Sequence, residues 1–260
     1  MRSIRIRNGG SLLTANKHGH GAPAHPGYHA RVNLTLRGRV QSVLVGVATA
    51  IVIVSVAIVP FLTPPWLAFE QDRAQATAWT GYTTEELRAA TDAIVADLVF
   101  GPPDFDVTVA GEPVLGERER SHMRDVRTVF IGLWAVTAVA LVVLVVTAAT
   151  AGTRRDRLYR AMSRGAATLG IGVVIVGIVA AVAFEPLFEV FHRLFFAGGS
   201  YTFDPATERL VQLFPFTFWQ ETTIAVGVVI VVLAAMTWRL AGRRAPPVIG
   251  ARSANPAVTA

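Results

Sequence analysis

VFIGLWAVTAVALVVLVVTAA, residues 129–149, holds no charged side chain, and its reading decides the fold. At about 1.5 Å per helical residue it reaches across a hydrocarbon layer of roughly 30 Å. Three more runs of this kind follow from the same criterion: Val40–Leu62, Ala166–Phe184 and Thr223–Leu240, with Arg239 the single charge, at the edge of the last. The chain of 260 residues is 52% hydrophobic, and its apolar residues are gathered into these runs rather than spread at amphipathic spacing. The expected fold is therefore all-α: a polytopic membrane protein with four transmembrane helices and a small extracytoplasmic helical cap.

The connections sort by sign. The N-terminal arm through Arg39, the middle connection and the C-terminal end from Arg239 hold sixteen cations, among them Arg154, Arg155, Arg157, Arg160, Arg164, Arg243 and Arg244, against one acid, Asp156. The connections 63–128 and 185–222 hold eight arginines and seventeen acids. Charges of +15 and −9 make up the net +6. Lys/Arg bias in short flanks sets topology, so both termini are expected inside and the other two connections outside a cell membrane. The basic pI then reflects arginines beside anionic headgroups, and a bilayer rather than a nucleic acid is the expected partner.

There is no cysteine. Disulfides, thiol nucleophiles and thiolate metal ligands are excluded, and the chain is not itself a lipoprotein. The first apolar run starts late and is long, so it reads as an uncleaved signal anchor. One lysine against 23 arginines hints at a GC-rich bacterial genome. Residues 1–37, with His18, His20, His25 and His29, read as a disordered basic tail, and 245–260 as a second tail, leaving 38–244 as the membrane domain.

The first outer connection has its own signals. Thr83 and Glu86 form a capping-box pattern opening a helix over Thr84–Phe100, with Leu87, Ala90, Ile94 and Leu98 on one stripe. Gly101-Pro102-Pro103 stops it. Phe105–Val109 and Pro113–Leu115 around Ala110-Gly111 suggest a short hairpin. Ala166, Gly170, Gly172 and Gly177 are small residues that let helices approach. Glu185–Phe196 keeps a helical pattern, and Asp204-Pro205 opens a short helix through Phe214. Phe214, Phe216, Phe218 and Trp219 form an aromatic belt before the fourth run.

Only two histidines fall in the outer connections. His122 sits just before the second run and His192 two turns beyond the third, so both are expected at one membrane–water boundary. Asp125 lies three residues after His122 and Glu189 three before His192, spacings that put acid and imidazole on one helical face. A carboxylate bonded to one ring nitrogen would fix its tautomer and raise the basicity of the other. The same spacing also suits interfacial histidines held by salt bridges. A metal set of His122, His192, Asp125 and Asp204 has no short ligand spacing behind it, so neither metal nor cofactor is expected. Ser200 lacks a G-x-S-x-G elbow.

Ser121-His122-Met123-Arg124-Asp125-Val126 resembles the "S/H-H-x-x-D-V" signature of a family of four-span bacterial membrane proteins. Phe191-His192-Arg193-Leu194-Phe195-Phe196, then Tyr201-x-Phe203-Asp204-Pro205 and Leu213-Phe214-Pro215, resembles its second signature, "F-H-x-L-F-F … W-x-F-D-P … L-x-P". The family is that of the lipoprotein intramolecular transacylase (Lit), and the resemblance covers about Val40 to Leu240. Gly199-Ser200-Tyr201 departs from the pattern, which shows an acidic or amide residue and tryptophan there. The resemblance implies an acyl transfer within a bacterial lipoprotein, from the glycerol sn-2 ester on its N-terminal cysteine to that cysteine's α-amine, with His122 and His192 as the catalytic pair. Asp125 and Glu189 would support them, and Arg124, Arg193, Tyr201 and Asp204 would face substrate or oxyanion. A non-catalytic module whose histidines only brace the cap is the alternative from another class.

Overall fold

The computed structural model describes residues 26–196 and 200–245, with side chains from residue 37 onward. His18, His20, His25, Gly198 and Gly199 and the tail beyond Ala245 lie outside them. The chain divides into two units, residues 1–38 and 39–260. The first contributes a helical backbone that begins at Pro26, inside the segment expected to be a tail. Proline is at home in a first helical turn, and no further proline interrupts the helix before Pro60.

Four of the described helices are long and apolar enough to cross a membrane. α1 spans Pro26–Ile58 and ends where Pro60, lacking an N–H, gives way to a 3-10 turn at Val59–Leu62. The cap begins with α2 (Pro64–Arg73), α3 (Ala76–Thr80) and α4 (Thr84–Val99). The capping box at Thr83 is made in both directions, and Gly101 follows α4 as expected. α2 and α3 were not read from the sequence, although Pro64-Pro65 after Thr63 is a helix-start signal. The expected hairpin is real but short. It pairs Thr108 with Pro113 and Val109 with Glu112 across Ala110 and Gly111, both at positive φ, as a two-residue primed turn requires.

α5 (Glu117–Thr150) starts well before the apolar run it contains, so one helix carries both the span and the segment around His122. α6 (Arg155–Val182) bends at Ala183 into α7 (Phe184–Phe195). α8 covers only Arg209–Leu213, shorter than the helix expected from Asp204. Asp204 instead closes a turn: its Oδ1 accepts from the Ala206 N–H at 2.9 Å and its own N–H donates to Glu208 at 2.6 Å. α9 (Phe216–Arg244) completes the bundle.

α6 and α9 pack along their length around Ala166, Ile230 and Ala234. α1 crosses α6 at Gly46 and Gly165, where a Cβ on Gly165 would lie 2.5 Å from the Gly46 Cα. Ser55 and Thr137 share a 2.6 Å hydrogen bond between α1 and α5. The outward faces carry Ile131, Val139, Val142 and Val145 on α5 and Ile171, Ile175 and Ile178 on α6, all exposed. In water such a surface would aggregate; in a bilayer it is solvated.

The cap has a core of its own around Leu87, Ile94, Phe105, Leu213 and Phe218. Buried polar groups stitch its pieces. The Gln71 amide donates to Thr91 and to the Leu213 carbonyl, each at 2.9 Å. Glu119 accepts from the N–H groups of Gly116 and Leu210 at 2.6 Å, which pins α8 to the first turn of α5.

Candidate active site

α5 lifts His122 about two helical turns above Val129, roughly 10 Å outside the apolar run. α7 leaves the end of α6 and brings His192 back over the same helix. The two rings stack with centroids 6.2 Å apart and planes 24° from parallel. Both are buried, at 6% and 8% exposure. Two segments distant in the chain thus meet at one place, as the spacing of each histidine from its span requires.

The enclosure is aromatic. Phe196 and Phe203 lie 4.8 and 5.5 Å from the His122 ring. Phe188 and Tyr201 lie 4.1 and 4.9 Å from His192. A carbonyl oxygen can only accept, so His192 must donate its Nδ1–H to the Phe188 carbonyl at 2.8 Å. That fixes the tautomer and leaves the lone pair on Nε2. His122 Nδ1 is buried with no hydrogen-bond partner among the described residues.

Burial holds both rings neutral. His122 is pushed down to about 4, first by loss of solvent, then by the neighbouring imidazole, with Asp125 pulling the other way. His192 is lowered by the same desolvation, against the Phe188 hydrogen bond and the Glu189 charge.

The expected carboxylate–imidazole hydrogen bonds are not the ones made. Asp125 is exposed and reaches His122 only through its field. Glu189 accepts from Arg193 at 2.8 Å and from the Tyr201 hydroxyl at 3.1 Å. Along α7 the acid and Arg193, four residues on, are natural partners, whereas the backbone carbonyl lies beneath the ring. Arg124 is likewise turned to Glu117, at 2.8 Å. Tyr201 is brought to the pair; Asp204 is an exposed turn residue. Sequence reasoning missed the walls. Phe196 and Phe203 stood inside the recognised motifs without a role, and Phe188 was one of many phenylalanines. It also missed Arg118, which donates to the Thr202 carbonyl at 2.9 Å, pairs with Glu208 and lies 5.7 Å over Phe203, anchoring the loop that closes on His122.

Two neutral imidazoles, one with an oriented lone pair and one with an unsatisfied buried nitrogen, suit proton transfer at a dry interface. Among the described residues no group of three or more His, Asp or Glu is placed to hold a metal ion.

The solved in meso structure of the membrane integral lipoprotein intramolecular transacylase Lit from Bacillus cereus is similar to this chain, with a TM-score of 0.67 at 19% identity over 81% of this chain and 98% of that one. A variant of the same Bacillus cereus protein with one histidine replaced by arginine gives 0.64 at 19% identity, over 84% and 97%. No curated protein matches the sequence. The family model for lipoprotein intramolecular transacylase Lit matches residues 42–219, a stretch that holds both histidines and most of the four-helix bundle. The chain belongs to the Lit family.

Proposed function

We propose that this protein moves an acyl chain from the sn-2 ester of a diacylglyceryl-cysteine lipoprotein to the α-amine of the same cysteine, at the outer face of a bacterial cytoplasmic membrane. The observation that carries this reading is the pair of buried, neutral imidazoles 6.2 Å apart just beyond the apolar run. An ester sits at headgroup depth, so the groups that act on it must sit there too.

The steps follow from the atoms. An α-ammonium with a pKa near ~8 must first lose a proton. His192 Nε2, its lone pair exposed by the Phe188 bond, accepts it. The amine nitrogen attacks the ester carbonyl, and His122 donates its Nδ1–H to the oxyanion, giving that nitrogen its missing partner. The C–O bond breaks as His192 returns its proton to the glycerol oxygen, and the freed Nε2 then takes the second proton from the acylated nitrogen and passes it to water, leaving the neutral amide. No protein nucleophile is needed, in keeping with a chain without cysteine. The charge sorting supports an outward cap, with residues 1–37 and 245–260 on the cytoplasmic side.

One observation favours a second reading. Both rings touch several phenylalanines, as bracing side chains do. Mass spectrometry of lipoprotein N-termini separates the two. With His192→Asn, the transfer reading expects a loss of about a hundredfold or more in the amide-linked product, with thermal stability little changed. Wild-type product from a destabilised His192→Asn protein would sink it.

A further inference from the structure

The end of the bundle opposite the cap is loaded with charge that the fold does not neutralise. Arg154, Arg155, Arg157 and Arg164 on and before α6, and Arg239, Arg243 and Arg244 on α9, are exposed. The single carboxylate there, Asp156, is taken by Arg160. Arg244 lies 5.8 Å over the Tyr159 ring, which joins the two helix ends. Ser163 donates to the Trp238 carbonyl at 3.2 Å, and Gly242 passes beside the same hydroxyl. On α9, Trp238, Arg239, Gly242 and Arg243 line an open hollow of about 410 Å³.

These residues differ in chemistry by height. Arg239 and Arg243 stand one turn apart with no hydrogen-bond or ion-pair partner among the described residues. Gly242 leaves space beside them. Directly below, Trp238, Met236 and Val232 are exposed and apolar. A two-pronged guanidinium site above a tryptophan and an aliphatic ledge matches a molecule with a phosphate at one end and acyl chains at the other. A free phosphate would use only the upper half.

We propose that the hollow at Trp238, Arg239, Gly242 and Arg243 is a binding site for one anionic phospholipid, its phosphate held by the two arginines and its chains lying along α9. The site is remote from the histidine pair and stands whether or not the chain transfers acyl groups.

The test uses the full chain in nanodiscs of phosphatidylcholine with one-fifth phosphatidylglycerol, extracted gently and weighed by native mass spectrometry. Wild type is expected to keep a single phosphatidylglycerol in preference to phosphatidylcholine. Arg239→Gln/Arg243→Gln should cut that preference by roughly tenfold or more, while Arg154→Gln/Arg155→Gln cuts it less. Retention by wild type should also fall as salt rises, a readout independent of any variant. Millimolar inorganic phosphate should not displace the lipid. No preference in wild type, an undiminished preference in the α9 double variant, or full displacement by phosphate would each overturn the proposal.

Discussion

At the scale of single residues the protein balances two buried groups that titrate against each other. Glu70, on α2, is 1% exposed, and its Oε1 has no hydrogen-bond partner among the described residues. Burial, and then the Glu221 carboxylate beside it, raise its carboxyl from 4.5 to about 7, with Arg73 only partly opposing. An unfolded chain would ionise this group first, so its contribution favours the fold at low pH and is lost as pH rises from about 4.5 to about 7. His122 works the other way. Its folded value of about 4 lies below the ordinary 6.5, so its contribution is present at neutral pH and fades as pH falls between them. The two slopes oppose each other in one window. Thermal unfolding in detergent at pH 5 and pH 7 should therefore show Glu70→Gln gaining stability mainly at pH 7, and His122→Asn gaining relatively at pH 5. Parallel shifts at both pH values in both variants would show that neither group titrates as described. Of this, the sequence displayed only the histidine. Glu70 looks like Asp72 in a string of letters, and only the tertiary fold distinguishes the buried carboxylate from the exposed one.

Among elements, the informative contact is the crossing of α1 and α6. Small residues at Gly170, Gly172 and Gly177 announce that α6 packs closely somewhere, but a single helix does not say which side faces its neighbour. The structure puts the approach at Gly165, just before the expected span, against Gly46; a Cβ on Gly172 or Gly177 would meet nothing. Gly165→Ala must push the helices apart, and its cost in thermal or denaturant unfolding should be about 1–3 kcal/mol. Gly172→Ala, facing open space, should be neutral or slightly stabilising. Equal effects of the two would mean that the helices do not cross at Gly46. Local signals were readable where they act locally: the Thr83–Glu86 box and the Gly101 stop bound α4 to within a residue. They misled at Asp204, whose carboxylate and N–H are spent on a turn before α8 begins. They were silent on the aromatic enclosure of His122, because Phe196 and Phe203 reach it from the end of α7 and from the loop before α8, not from α5.

Across the whole molecule, the ordering of charge along the chain becomes an ordering in space. The cap carries carboxylates such as Glu117, Glu189 and Glu221, while α6 begins and α9 ends among arginines. A bilayer with a more negative cytoplasmic leaflet and a membrane potential turns that polarity into an orientation. The absence of cysteine allows a clean experiment, since any introduced thiol is the only one. Glu112→Cys places it on the exposed ribbon of the cap, and Thr153→Cys on the exposed turn between α5 and α6. In intact cells a membrane-impermeant maleimide should label the first and leave the second untouched until the membrane is opened. Labelling in the reverse order would put the histidine pair on the inner side, away from any lipoprotein already exported. On the proposed orientation, replacing Arg154, Arg155 and Arg157 with glutamine should then give a mixture of labelling patterns, because it removes much of the positive charge of the short middle connection.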